Sequence, residues 1–528
     1  MTPTIAFRWW RPALAAAVLA FAACGGGGGG GDGGGATAPP PGAAPGPEVN
    51  GPPWLSFGHD AQHTAVAAIA TQDLNRIAWS TPVDEVPQYQ TNGSLLAHYG
   101  SPVISGRNTV VVPVKTGAAG GFRVEGRSGG TGALLWSLAS DYVAPASQWF
   151  PSFNATITPA GRVVIPGAGG KVVVRESADD ATSATQSLAF YGAQPDPALD
   201  GSVFIDTPVT SDAQGNLFFG FLVTGANAQG LVGGIARIDA NGTGRWISAA
   251  TAAADPAIVK AAMNSAPALS PDGSTLYVAV NAAAQAGVTQ KGYLLALDST
   301  TLAVKGRAAL VDPATGLPAR VSDTATSSPV VGPDGHVYFG VLESTFGQHN
   351  ARGWLLHFDA TLATQSVPGG FGWDVTPSLV PASMVPSYTG PSSYLLALKY
   401  NDYAGVGTGT GQNELAVIDP SATQIDPISG RTIMREVLKI LSPTLAAGGP
   451  AGAREEWCIN TMAVDPATRS ILANNEDGIL YRWNLATNTF SQQIQLNSGL
   501  GQAYTPTAVG ADGAVYAVSN ARLYAVVR

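Results

Sequence analysis

The chain has 528 residues, with 27 Lys and Arg against 36 Asp and Glu, for a formal charge of −9. That balance argues against nucleic acid as a partner and against electrostatic adhesion to anionic lipid. Charged residues make up only 12% of the sequence and there are just two cysteines, so neither a disulfide framework nor long solvated helices are expected.

The first 23 residues read as a secretory leader: Arg8 and Arg11 form a positive start, and Ala13–Ala22 is an apolar stretch too short to span a bilayer. The leader ends Phe21-Ala22-Ala23-Cys24, which resembles a bacterial lipobox, with Phe where Leu is usual. By that resemblance Cys24 is the lipidated first residue of the mature chain, and Gly25 after it, rather than Asp, implies the outer membrane, with the chain periplasmic or surface-exposed. Residues 24–53, rich in Gly, Pro and Ala, form a flexible tether with a coil span of roughly 30 Å. With Cys24 acylated, Cys458 has no intramolecular disulfide partner, and its apolar neighbours mark it as a packed small side chain.

From residue 54 to 528 one phrase keeps returning: a short apolar strand opening on Ser/Thr-Pro or Ala-Pro, a tight turn, then a second strand. It stands at Ser101-Pro102, Thr207-Pro208, Ala266-Pro267, Ser328-Pro329 and Thr505-Pro506, at spacings that resolve into units of roughly sixty residues. Degenerate units begin near Phe150-Pro151, Ser383-Met384 and Trp457-Cys458, making eight. Residues 265–310 show four strand-like runs per unit, with Asp272-Gly273 supplying the hairpin turn. Self-similarity at this period with strands alone between turns predicts an all-β fold, a single eight-bladed β-propeller of four-stranded blades. The last unit ends after three strands (Thr505–Val509, Ala514–Val518, Leu523–Val527), which would leave an open edge. Ile77-Ala78-Trp79-Ser80 matches the closing strands at Leu134–Ser137 and Arg245–Ser248, so it is expected to complete the last blade and staple the ring. A monomeric ring follows.

Several motifs invite chemistry. His59 and His63 stand four apart, but Gly58 and Thr64 make theirs a lead-in loop rather than a metal-binding helix, and no metal site is assigned. Gly126-Arg127-Ser128-Gly129-Gly130 has the spacing of a nucleophile elbow, yet it joins two strands where that elbow needs a helix. Gly405–Gly411 could cradle phosphate if it opened a helix, but it lies between strands and reads as a hairpin. The acidic run Asn474-Asn475-Glu476-Asp477-Gly478 could touch calcium, though a tight turn explains it without an ion. The better argument is positional. Innermost strands begin at one rim of the central channel, which gathers the residues before each phrase: His98, Tyr99, Asp206, Asn264, Ser327, Glu455, Glu456 and Tyr504. They could bind a cation or perform acid–base work, or form a ring of solvated polar groups around a water-filled pore. Adjacent strand residues face opposite ways, so at most one of Glu455 and Glu456 looks inward. The sixth unit carries the longest insertion, including Asp419–Gly430, Arg431–Leu438 as a strand or short helix, and Ala446–Ala453, and is a candidate contact surface.

The eight units, the Leu-Leu-Trp-like closings and the opening Trp54-Leu55-Ser56-Phe57-Gly58-His59-Asp60 together resemble the pyrroloquinoline-quinone-like propeller repeat proteins. These include quinoprotein dehydrogenases and the lipoprotein subunit of the outer-membrane barrel-assembly machine. The dehydrogenases place their quinone on a tryptophan, cap it with a disulfide between adjacent cysteines and chelate calcium through Glu, Asn and Asp. This chain lacks adjacent cysteines and a Cys-x-x-Cys-His haem site, so no cofactor is assigned, and quinone with calcium is the less favoured reading. The expectation is a membrane-anchored envelope lipoprotein serving as a binding or scaffolding module for protein or glycan partners. The alternative is a propeller enzyme, a quinone-dependent oxidoreductase or a polysaccharide-cleaving one, working at the channel rim.

Overall fold

The computed structural model describes residues 49–89, 95, 97–146, 153–283, 291–323, 327–498 and 504–528. The expected leader, Cys24 and nearly all of the tether lie outside the described residues. Among those described, no helix is long and apolar enough to cross a membrane.

The protein is an eight-bladed β-propeller of antiparallel sheets. Blade 1 shows the plan: Val103–Ile104 innermost, then Thr109–Gly117, Gly120–Ser128 and Leu134–Ser140 outermost. Inner strands are short, apolar and buried, since each is covered by neighbouring blades on both faces. Outermost strands alternate, as in Val304–Ala309, because one face meets water. Closure is as the sequence predicts. Arg76–Pro82 pairs antiparallel with Arg522–Val527, Trp79 opposite Ala525 and Ser80 opposite Tyr524, and becomes the fourth strand of blade 8. Trp79 Nε1 then donates to the Gly129 carbonyl of blade 1, as Trp136 Nε1 does to Ala178 of blade 2. The nucleophile-elbow lookalike is thus a strand-to-strand turn that docks the neighbouring tryptophan.

The recurring Ser/Thr has a physical reason. Ala266 N donates to Ser328 Oγ and Ser328 N to Thr376 Oγ1, each at 2.9 Å, so the hydroxyl of one blade satisfies the amide of the blade before it. The degenerate units keep the bond with other groups. In blade 2 Asn154 Oδ1 accepts from Ser101 N, and in blade 7 the Asn460 carbonyl accepts from Thr376 N. Their innermost strands, Thr156–Ile157 and Ala463–Asp465, begin a few residues beyond the sequence estimates. Blade 6 corrects the other way: its innermost strand is Ser378–Pro381, ahead of Ser383, and opens on Thr376-Pro377, another copy of the phrase.

Three blades depart from the plan. In blades 3 and 4 the innermost strand is broken in two, Val203–Ile205 with Thr210–Ser211 and Ile258–Ala261 with Ala268–Leu269. Blade 5 has three regular strands, Val330–Val331, Val337–Val341 and Trp354–Phe358, with only isolated bridges from Phe358 to Gln365 and from Leu355 to Gly369 at its outer edge. Blade 6 compensates. Its outer hairpin, Glu414–Ile425 with Thr432–Leu441, is long enough to lean over blade 5, where Met434 N donates to the Pro368 carbonyl and Ile433 is fully buried in blade 5's core. Arg431–Leu438 is therefore strand rather than helix, apart from Arg431 at the turn.

The lead-in occupies the axis at the end where first and second strands turn. Its backbone meets Ile104 of blade 1 through Trp54, Ile157 of blade 2 through Leu55, and Leu269 of blade 4 through Ala61. It continues to Val331 of blade 5 through Gln62, Leu379 of blade 6 through Thr64, and Val464 of blade 7 through Ala65 and Ala67. Gln72 then reaches Gly513 of blade 8. Such a path inside the ring requires close backbone approach. A side chain at Gly51 would lie 1.9 Å from the Ala511 carbonyl oxygen, and Gly58 turns at φ +63°. The expected water-filled pore is thus stoppered at this end by Trp54, Phe57, His63 and Ala65, all buried.

Candidate functional site

The opposite end of the axis holds the residues singled out from sequence, in two groups and not as one ring. The first lies where blades 3 and 4 break their inner strands. Asp206 sits in the first break, its carbonyl accepting from Asn264 N at 2.8 Å, and Asn264 sits in the second with φ +66°. Lys260 and Asp323 join them. Lys260 Nζ lies 2.5 Å from Asp323 Oδ1 and also donates to Asn281 Oδ1 at 3.0 Å. Neither carboxylate oxygen of Asp206 has a hydrogen-bond partner among the described residues, although the residue is only 3% exposed. Burial pushes its pKa up to about 7, with Lys260 pulling down and Asp323 pushing up.

The second group lies across blades 6, 7, 8 and 1. Cys458 is buried, but it is not merely packed as the sequence implied: its thiol donates to Glu476 Oε1 at 3.0 Å. Glu456, Cys458 and Glu476 bring one ligand atom each within 4.8 Å of one another. Tyr504 N donates to the Cys458 carbonyl, and the Tyr504 ring meets His98 edge-on at 5.2 Å between centroids. Lys399 lies 3.6 Å from Asp374 and 6.0 Å from the Tyr504 ring centroid. Burial and then the two glutamates hold the Cys458 thiol well above its ordinary pKa, so it is a thiol here and not a reactive thiolate. A divalent ion that displaced the proton would find mixed carboxylate–sulfur ligation suited to zinc.

The remaining candidates have other work. Glu455 points away from Glu456, toward the blade-6 insertion, where its Oε1 accepts from Ala447 N at 3.2 Å. Tyr99 donates to Asp84, which also pairs with Lys115. Ser327 bridges Val375 O and Gly340 N. In the lead-in, His63 Nδ1 donates to the Pro329 carbonyl at 2.7 Å, and burial lowers its pKa to about 4. His98, Asp206, Asn264 and Ser327 are all buried, so a solvated ring is not what the rim presents. Sequence reasoning missed Lys260, Asp323, Lys399 and Asp374, and it noted Glu476 only within an acidic turn, not beside Cys458. A signal was there for two of them, a lone lysine inside Ile-Val-Lys-Ala and inside Leu-Leu-Ala-Leu-Lys-Tyr.

No protein-family pattern matches the sequence, and neither does any curated protein. Solved structures do match in shape. A europium-containing methanol dehydrogenase aligns with TM-score 0.56 and 9% identity over 89% of each chain. The quinohemoprotein alcohol dehydrogenase from Comamonas testosteroni aligns with TM-score 0.53 and 12% identity, over 90% of this chain and 81% of that one. At these identities the likeness is one of fold, the eight-bladed β-propeller, and of nothing finer.

The axial crevice on the side of blades 4, 5 and 6, beside Met263, Ser265, Ser327, Trp373 and Asp374, has a volume of about 10 Å³, room for one water.

Proposed function

We propose that this chain is a β-propeller binding module, held at an envelope membrane through Cys24, that engages a protein or glycan partner with its loops and blade surfaces. The observation that carries this reading is the state of the axis. One end is filled by the lead-in. At the other His98, Asp206, Lys260, Asn264 and Asp323 are buried and Glu456, Glu476 and Tyr504 are half-buried, most of them against one another. A propeller enzyme needs an open rim, whereas a binding module needs only a rigid ring. Mass spectrometry of the mature protein tests the anchor and should find a diacylated cysteine at its first residue; an unmodified terminus removes the membrane from the proposal. Crosslinking in intact cells followed by re-isolation with purified chain tests the module, and a partner retained by the Cys458→Ala variant is the expected result.

A second reading, an enzyme at the rim, is favoured by two observations: an unpartnered carboxylate titrating at about 7 and the Glu456–Cys458–Glu476 trio. Metal content and absorbance of the purified chain distinguish the two. A stoichiometric metal or chromophore lost in Cys458→Ala, together with turnover that disappears in the same variant, would replace the binding module with the enzyme.

A further inference from the structure

The blade-6 hairpin does more than cover blade 5. Between its tip, the Asp312–Leu317 turn that leads into blade 5 and the Glu343–Gly353 loop lies a cavity of about 250 Å³, far from the axis and larger than the axial crevice. Its polar walls are Asp312, Glu343, Gln348, His349, Ser429 and Arg431, with Ala314 and Ile428 as the apolar part.

These groups are held before any ligand arrives. Asp312 Oδ1 accepts from Ala314 N, and its Oδ2 accepts from the backbone and hydroxyl of Ser344, all at 2.8 Å. Glu343 accepts from the amides of Gly347, Ala351 and Gly353 at 2.8–3.0 Å. Both carboxylates are only 1% exposed, so their positions are fixed, and each keeps lone-pair capacity to spare. His349 stacks flat on Trp354 at 4.0 Å, donates Nδ1 to the Gly353 carbonyl at 2.9 Å and faces Asp426 Oδ2 with Nε2 at 3.1 Å. That pair and the bond from Arg431 to the Ala314 carbonyl latch the hairpin tip to blade 5. Asp426 Oδ1, behind the latch, is buried without a partner. Among the described residues the Gln348 side-chain amide has no hydrogen-bond partner, and it stands exposed at the cavity's edge.

The chemistry selects the ligand. Two fixed carboxylates disfavour an anion, and the Arg431 guanidinium disfavours a cation. Rigid acceptors that alternate with amide and guanidinium donors, beside a small aliphatic patch, suit a neutral ring whose hydroxyls both donate and accept and whose C–H edge needs cover. At about 250 Å³ the cavity has room for a small polar ligand on the scale of one pyranose ring. We infer that this cavity binds a neutral sugar residue, so that the blade 5–6 seam is a glycan-recognition site. The inference rests on the binding-module reading and names its ligand class.

The test is titration calorimetry of the full chain with glucose, galactose, N-acetylglucosamine, cellobiose and chitobiose, with inorganic phosphate as the anionic probe. Saturable binding of at least one sugar is expected, weakened about tenfold or more in Gln348→Ala and in Arg431→Met and retained in Cys458→Ala. Gln348 is exposed and outside the latch, so Gln348→Ala should melt as the parent does, whereas Arg431→Met gives up the bond to Ala314 and its binding is read well below its own melting temperature. No saturable binding of any sugar, equal binding in the two variants, or binding of phosphate in place of sugar would each overturn the inference. A protein partner captured by crosslinking would leave the binding module standing even then, which separates the two failures.

Discussion

An unpartnered carboxylate deep in a propeller costs stability, and Asp206 carries that cost in a readable form. Its pKa of about 7 in the fold exceeds the ordinary carboxylate value of 3.8, so between pH 4 and 7 the native protein keeps a proton that the unfolded chain gives up. Stability from this group is complete below pH 4 and is lost as pH rises through 7. Asp206→Asn is expected to raise the melting temperature at pH 8, leave it nearly unchanged at pH 4 and flatten the dependence between; equal shifts at both pH values would contradict this. His63 has the opposite sign. Its pKa of about 4 lies below the ordinary 6.5, so its contribution is present above pH 6.5 and fades as pH falls toward 4. His63→Leu should remove that slope and cost about 1–3 kcal/mol through the Pro329 carbonyl left unpaired, measured by denaturant unfolding. Positional reasoning located Asp206, Asn264, Glu456 and Tyr504, because a repeat fixes where each blade begins. It could not pair them, since pairing depends on which neighbours a broken strand brings close, and Asp323 and Glu476 lie outside the phrase.

At the scale of elements, blade 5 and the blade-6 hairpin are one unit of stability. A blade without a regular fourth strand would expose the edge of Trp354–Phe358, and the hairpin covers it with Ile433, which is fully buried. Ile433→Ala is expected to cost about 2–4 kcal/mol and to raise hydrogen exchange in Trp354–Phe358 ahead of other blades; exchange rising evenly around the ring would refute the coupling. The insertion was visible in the sequence as a unit of excess length. Its direction was not, because the register shift between Asp419 and Thr423 that bends the hairpin is a property of pairing and not of composition.

For the whole molecule, closure was the most legible feature: a final unit one strand short, and an early Trp-bearing segment that matched the missing piece. The stopper was the least legible. Trp54–Ala67 has no periodic pattern, since it adapts to one blade after another, and the sequence marked it only as a lead-in loop. Removing residues 49–82 should therefore do two things at once, opening the axis and baring the edge of Arg522–Val527. Light scattering is expected to show self-association of the truncated chain, whereas removal of residues 1–48 alone should leave a monomer. If the longer truncation stayed monomeric and melted as the full chain does, neither the seam nor the stopper would be holding the ring.

The course of the lead-in also decides how the ring is presented. The chain enters beside Gly106 and Ala511, on the turn side of the hub, before passing beneath the blades. The start of the lead-in therefore lies across the hub from the end that bears His98, Cys458 and Tyr504, so the two ends of the axis are kept apart and the blades stand free around the circumference.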